Sequence, residues 1–226
     1  MPCAVCGDII PTEIGRCPAC GAWARRRNFR ALGLSVFLLL GFNAFMALGS
    51  GIGLARMFGP LTVTTSDSYD PLATTRVLTA YADVFAVTGA LAALTGVLFL
   101  GWLWRAHRQA GAARRYRPGW VVAGWLLPVV NLWLPPRLVH DVWVCSAPHR
   151  RVDRHRAAAI VAAWWVSLLS AVGLAQLFRA AGMDTVADAR LAAQVGLAGA
   201  AAQALAAALC MTIVFHITRL QFGRDG

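Results

Sequence analysis

The sequence lacks lysine entirely, and all 21 of its basic residues are arginine. This absence excludes the phosphate-binding lysine of a P-loop, a Schiff-base lysine and the lysine of a protein-kinase fold. The chain also has no HExxH motif, no GxSxG motif and no plausible catalytic triad. The sequence therefore predicts that the protein is not an enzyme.

Charged residues are scarce as well, at 14% of the chain, and only 10 residues are acidic. A soluble domain carries about a quarter charged residues. Hydrophobic residues make up 58% of the chain, and the mean hydropathy is +0.59. We therefore predict an all-α, polytopic membrane helix bundle rather than a soluble domain.

Long uncharged runs divide the chain into a short head and a membrane body. Residues 1–22 form the head, 23–30 a basic collar, 31–220 the bundle and 221–226 a polar tail. The first uncharged run, residues 31–54, would be about 36 Å long as a helix, which exceeds the ~30 Å thickness of a hydrocarbon core. The predicted spanning helices lie at about 31–54, 77–104, 157–178 and 191–218, with an interfacial or re-entrant element at 118–143.

The arginines predict how the bundle is oriented, because cytosolic loops carry an excess of basic residues. If 118–143 does not cross the membrane, 17 arginines fall on the cytosolic side and 4 on the other side. If 118–135 does cross, the division becomes 12 against 9. The first arrangement is preferred, and it predicts a multi-pass protein of the bacterial cytoplasmic (inner) membrane with both termini in the cytosol.

Four cysteines at the start of the chain form two CxxCG units, Cys3 with Cys6 and Cys17 with Cys20. Each pair supplies two thiolates for a tetrahedral ion, and four thiolates make a closed, structural Zn²⁺ site. The metal would supply the fold of this zinc ribbon, because about 22 residues cannot build a core. A redox CxxC pair and a disulfide-linked tail are the alternatives, and a reducing cytosol favours zinc over both.

A second specific feature is the Trp- and Pro-rich stretch from Arg117 to Trp143. It resembles the core signature of a bacterial membrane family frequent in actinomycetes, the domain of unknown function 4328, and the resemblance extends over residues 75–220. It implies a multi-helix membrane protein, often with a zinc-ribbon-like or Pro-rich head, and it carries over no catalytic residue. The residues that match the family pattern are Pro118, Trp120, Trp125, Pro128, Asn131, Trp133 and Pro135.

The same stretch also has a physical interpretation. Pro128 removes a backbone donor, and Asn131 lies where its side chain can bond to backbone groups at the break. Arg137 and Asp141 are spaced to pair on one helical face. A kinked interfacial helix that seals the bundle is one interpretation, and a small polar pocket formed by Asn131, His140 and Asp141 is the other. The tryptophans that suit the headgroup zone of a membrane are Trp120, Trp125, Trp133 and Trp143.

Two further features of the predicted spans bear on function and packing. Asp83 is the only acidic residue in a predicted span, which suggests proton or cation handling, although its position near Arg76 also fits the outer interface. Gly49 and Gly53 form a GxxxG pair, and small residues recur every four positions from Ala192 to Ala208. Both patterns predict close helix contact within the bundle.

These patterns favour one function and leave a second open. The first is a non-enzymatic membrane protein whose cytosolic zinc site serves partner recruitment or regulation. The alternative is a small transporter, channel or lipid- or ligand-binding protein that uses the 118–143 element and Asp83. We expect the lipid bilayer and a protein partner but no nucleic acid, because the collar arginines would lie against the membrane, and a homo-oligomer remains open.

Overall fold

The structure, a computed structural model, describes residues 19, 26–59, 70, 72, 82–110, 115–146, 154–181 and 184–222. Every regular element within these residues is helical, and none is a strand. The predicted all-α class is therefore confirmed. The helices are α1 (Arg26–Phe58), α2 (Ala82–Gln109), α3 (Trp120–Leu126), a 3-10 turn (Val130–Leu132), α4 (Leu134–Cys145), α5 (Arg154–Ala180) and α6 (Val186–Phe222).

Four of these helices are long and apolar enough to cross a membrane, as the sequence predicted. The predicted boundaries differ from the observed ones where charge was taken as the end of a helix. The second span was expected to end at Trp104, but α2 continues to Gln109. The last was expected to begin at Leu191, but α6 begins at Val186. Arginine is a good helix former, so a charge ends the apolar run without ending the helix.

The long helix α6 lies at the centre of the bundle. It packs along α1 on one side and along α5 on the other, while α2 packs on α1. The short helices α3 and α4 fill the space between α2 and α5. This arrangement joins all six helices around one apolar core.

Aromatic and branched side chains form that core where the six helices converge. Trp102 of α2 is fully buried between Phe29 of α1, whose ring is stacked at 6.4 Å, and Phe99 of its own helix at 5.6 Å. Large apolar side chains also cover the outer surface of the spans, as a lipid environment requires. The most exposed of these on the long helices include Leu38, Phe45, Val87, Val97, Val166 and Leu177.

Small residues set the closest helix contacts, although not all at the predicted positions. A Cβ added at Gly51 would lie 3.2 Å from the Cβ of Ala200, and one at Gly196 would lie 3.0 Å from Leu54 Cδ1. The series on α6 therefore does pack against α1 at Gly196 and Ala200. The GxxxG prediction is wrong in register, because added Cβ atoms at Gly49 and Gly53 meet nothing within 4 Å.

A buried polar contact links α1 to α2 in the middle of the two spans. The Asn43 side chain donates from Nδ2 to Thr95 Oγ1 at 2.8 Å and to the Leu39 carbonyl at 2.7 Å. The Thr95 hydroxyl in turn donates to the Leu91 carbonyl at 2.8 Å. Both side chains are buried, and these bonds give the Asn43 amide and the Thr95 hydroxyl acceptors for their donors.

The start of α1, the end of α2, the start of α5 and the end of α6 lie at the same end of the bundle. Trp102 Nε1 donates to Thr218 Oγ1 at 3.3 Å, and Gln221 Nε2 donates to the Ala106 carbonyl at 2.9 Å. We call this the arginine-rich end. Its described arginines are Arg26, Arg27, Arg30, Arg105, Arg108, Arg115, Arg117, Arg154, Arg156 and Arg219, whereas those at the opposite end are Arg56, Arg179 and Arg190.

Candidate functional site

The four cysteines of the predicted zinc ribbon, Cys3, Cys6, Cys17 and Cys20, lie outside the described residues. The nearest described element is α1, which begins at Arg26. Within the part of the chain that the structure describes, no three His, Cys, Asp or Glu side chains come together as a metal site. The zinc ribbon therefore stays a prediction from the sequence.

The Trp- and Pro-rich segment folds as a helical hairpin that enters and leaves at the arginine-rich end. We call residues 115–146, which comprise α3, the 3-10 turn and α4, the re-entrant hairpin. At its base the Arg115 N–H donates to Asp141 Oδ2 at 3.3 Å. His140 Nε2 lies 3.4 Å from the carbonyl of Arg154, where α5 begins. Because both ends of the segment lie at this base, the segment does not cross the bundle.

Proline positions explain where the chain turns. Leu127, the residue after α3, has extended backbone angles of φ −86° and ψ 112°. The next residue is Pro128, and a residue before proline is disfavoured in the helical region. Pro135 and Pro136 occupy the first turn of α4, where their missing N–H groups cost nothing because first-turn donors have no partner within the helix. The doubled proline therefore marks a helix start.

Aromatic packing holds α3 against the bundle. The half-buried Trp125 ring lies 6.1 Å from Phe99, 6.4 Å from Trp164 and 5.6 Å from Trp165, the last in a T-shaped contact. The predicted headgroup position is therefore wrong for Trp125. Its ring joins α2 to α5, and apolar burial outweighs the membrane interface at this position.

The other three tryptophans of the segment divide between core and surface. Trp143 on α4 is buried and stacks on the His216 ring of α6 at 5.5 Å, so it too belongs to the core. Trp120 and Trp133 are 42% and 46% exposed, but only Trp120 lies at the base of the hairpin, whereas Trp133 adjoins its turn. The Arg137 guanidinium lies 4.9 Å from the Trp133 ring centroid, so it packs on this ring instead of pairing with Asp141.

The turn of the hairpin carries exposed apolar side chains. Leu126 is 76% exposed, Val129 74% and Leu132 60%. Trp165 fixes the depth of the turn, because its Nε1 donates to the Leu132 carbonyl at 2.8 Å. Trp165 lies eleven residues after Arg154, about 16 Å along α5. The hairpin is therefore about half as long as the ~30 Å that a spanning helix must cross.

The three polar residues of the predicted pocket do not come together. Asn131 lies in the turn, whereas His140 and Asp141 lie at the base, about 10 Å further along α4. The Asn131 backbone N–H donates to the Leu127 carbonyl at 2.8 Å. This carbonyl at the helix break is therefore bonded by a backbone N–H and not by the Asn131 side chain. The Asn131 Oδ1 and Trp125 Nε1 atoms are buried and have no hydrogen-bond partner among the described residues.

A buried polar cluster at the base of the hairpin was missed from the sequence. Ser146, which follows α4, is fully buried, and its hydroxyl donates to the Val142 carbonyl at 2.6 Å. Gln221 of α6 donates from Nε2 to the Ser146 oxygen at 2.8 Å as well as to Ala106. His107 beside them is also fully buried. Flanking arginines made these positions resemble loop and tail, which concealed their burial.

The position of Asp83 is described only by its backbone. It is the second residue of α2, at the end of the bundle opposite the arginine-rich end. The re-entrant hairpin meets α2 in its other half, through Phe99 and the residues that follow it. Asp83 and the hairpin therefore do not form one site.

The comparisons with known proteins assign a family and nothing more specific. A family model described as Domain of unknown function (DUF4328) matches residues 63–219. No curated protein and no solved structure matches the chain. The matched residues include α2 to α5 and α6 as far as Arg219, and they exclude the four cysteines and α1.

Proposed function

The chain belongs to the family described as Domain of unknown function (DUF4328), and on this premise we propose a non-enzymatic protein of the bacterial cytoplasmic membrane whose zinc-binding head recruits or regulates a protein partner. The family domain would be the membrane anchor. The head, which lies outside the matched residues, would carry the specific role of this chain.

The position of the α1 start is the observation that carries this proposal. Cys20 precedes Arg26 by six residues, which an extended chain spans in at most about 20 Å. A linker of this length would keep Cys20, the last of the proposed zinc ligands, within about 20 Å of the start of α1, which lies at the arginine-rich end. A partner that binds the head would meet this basic surface at the same time.

The distribution of arginine supports a cytosolic position for that surface. The described arginines gather at one end of the bundle, and the positive-inside rule assigns such an end to the cytosol. The cytosol keeps thiols reduced and available as thiolates for zinc. The orientation and the metal site are thus mutually consistent parts of the proposal.

The test compares a head variant with a cysteine control. Cys17→Ser/Cys20→Ser removes two of the four proposed ligands, whereas Cys145→Ser changes a half-buried cysteine on α4. We expect one zinc per chain in the native protein and in Cys145→Ser, and none in the double variant. In-cell crosslinking should capture a partner with the first two proteins and lose it with the third.

The zinc measurement and the crosslinking measurement test the metal site and partner recruitment independently. Equal zinc in all three proteins would refute the metal site. Loss of zinc with an unchanged set of crosslinked proteins would refute recruitment by the head and leave it a structural terminus.

The two buried, unsatisfied polar atoms in the hairpin favour a second candidate, a transporter or a ligand-binding membrane protein. Trp125 Nε1 offers a donor and Asn131 Oδ1 an acceptor at the broken helix. Asp83→Asn tests only a transport role of Asp83, because this residue lies in the other half of α2 from the hairpin, and Asp184→Asn before α6 is its charge-matched control. Loss of proton or cation flux into proteoliposomes in the first variant alone would support this candidate, and equal flux would refute its use of Asp83.

A further inference from the structure

We propose that the groove between the start of α1 and the end of α6 binds one anionic phospholipid of the phosphatidylglycerol type. Its phosphate would lie between Arg30 and Arg219, and its acyl chains would run along the apolar wall toward the membrane centre. This site is separate from the re-entrant hairpin, and it does not depend on the zinc ribbon.

The groove is a concave feature of the described bundle at the arginine-rich end. Its volume is about 730 Å³, within the ~300–1,000 Å³ typical of small-molecule sites. Leu34 and Phe37 form the α1 wall, and Val214 and Phe215 form the α6 wall. Leu34 is 59% exposed and Phe215 51% exposed, so the walls open outward to the lipid.

Gly33 lets α1 and α6 approach each other closely at the floor of the groove. Gly33 lies on the groove, and a Cβ added there would come within 3.1 Å of Thr218 Oγ1 and 3.4 Å of Trp102 Nε1. The backbones of α1 and α6 therefore approach closely at the floor. The side chains above the floor diverge and leave the groove open.

The charges at the mouth select the occupant. Arg30 from α1 and Arg219 from α6 both line the groove, and both side chains are exposed. They lie at the end of the spans where the headgroups of one leaflet are, directly above an apolar wall. The two guanidinium groups can bind the phosphate of a phospholipid, and the apolar walls below them can bind its acyl chains. Basic pockets between spanning helices bind anionic headgroups in the same way.

The alternative occupants lack one of these two features. A zwitterionic phospholipid would fill the apolar walls equally well but would gain less from two arginines. The mouth of the groove is basic, and so is the collar that precedes it, so the segment 23–30 of a second copy is electrostatically disfavoured.

Photocrosslinking of the full-length protein tests the proposal. The protein is placed in nanodiscs of phosphatidylcholine with a minor fraction of phosphatidylglycerol that carries a diazirine in its acyl chain. Labelled peptides are then identified by mass spectrometry. We expect label on the α1 and α6 residues of the groove, and much less when the diazirine is carried by phosphatidylcholine.

Two variants separate the charge from the shape of the groove. Arg30→Gln/Arg219→Gln should lower groove labelling about 25-fold, because each arginine near an anionic lipid contributes about fivefold. Ala31→Trp fills the groove and keeps both arginines, and it should abolish the label. Arg117→Gln/Arg154→Gln and Ala158→Trp are the matched controls at the same end of the bundle and should keep it.

The outcomes decide the proposal in either direction. Loss of label in the groove variants and retention in both controls supports it, provided that all proteins elute as the same folded species. Equal labelling by the two lipids, an equal loss in the control variants, or crosslinks from the groove to residues 1–25 or to a second copy would overturn it.

Discussion

Gln221 in the last turn of α6 donates a 2.8 Å hydrogen bond to the hydroxyl oxygen of Ser146, the residue that follows α4. The same amide nitrogen reaches the Ala106 carbonyl near the end of α2. One side chain thus ties the exit of the re-entrant hairpin to two of the spanning helices. A buried amide that joins three elements stabilises their relative positions more than a surface contact would.

Replacing Gln221 with leucine should therefore destabilise the bundle. The change removes both donated bonds and leaves the buried hydroxyl of Ser146 with one bond fewer, so we expect a loss of about 1–3 kcal/mol in the free energy of unfolding. Gln203→Leu on the exposed face of the same helix is the control and should change stability little. Unfolding in mixed micelles measures both, and equal effects would contradict the role of Gln221.

The contact between Asn43 and Thr95 should couple the two residues energetically. We expect the double-mutant cycle of Asn43→Leu and Thr95→Val to give about 0.6 kcal/mol, and no more than ~1.7 kcal/mol, as for hydrogen bonds between membrane helices. Thr212→Val in place of Thr95→Val is the control, because the Thr212 hydroxyl bonds to Ala208 of its own helix. A cycle with Thr95 that is as small as the control cycle would show that the contact contributes nothing.

Two glycines on α1, Gly49 and Gly51, should respond in opposite ways to substitution. Gly51→Leu forces a side chain against Ala200 and should cost about 1–3 kcal/mol through overpacking. Gly49→Leu adds a better helix former where nothing lies within 4 Å, so its stability should be unchanged or higher. Unfolding measurements on the two variants test the packing register, and a greater loss at Gly49 would contradict it.

Tag accessibility should place both ends of the hairpin on one side of the membrane. Epitopes inserted after Ala110 and after Arg150 flank the re-entrant hairpin, and an epitope after Ala181 lies at the opposite end of the bundle. In intact spheroplasts we expect antibody to reach only the tag after Ala181. A tag at Arg150 that is accessible from outside would refute the re-entrant geometry and the proposed orientation.

Most of the fold could be predicted from hydropathy alone. A spanning helix needs about 20 apolar residues, and this requirement locates all four long helices. Their exact ends could not be predicted, because arginine at a membrane surface continues a helix as readily as it ends one. The register of α1 on α6 was also missed, since Gly49 and Gly51 differ only in which face they occupy.

The sequence predicted the path of the hairpin but not the contacts of its tryptophans. Its prolines and its likeness to the family pattern predicted a break, and the 17-to-4 division of arginines predicted that it returns. Which of its tryptophans would be buried and which exposed could not be predicted. Trp125 and Trp133 both suit an interface, but whether a ring meets Phe99 and Trp165 or solvent is decided by tertiary contacts that the local sequence does not contain.

The half-depth of the hairpin has a mechanical consequence for the bilayer. Among the described residues, six helical segments lie in the half of the bundle at the arginine-rich end, and four lie in the other half. In a bilayer, a bundle of this shape would displace more lateral area in one leaflet than in the other. We therefore expect it to fit best in membrane that is convex on its broader side.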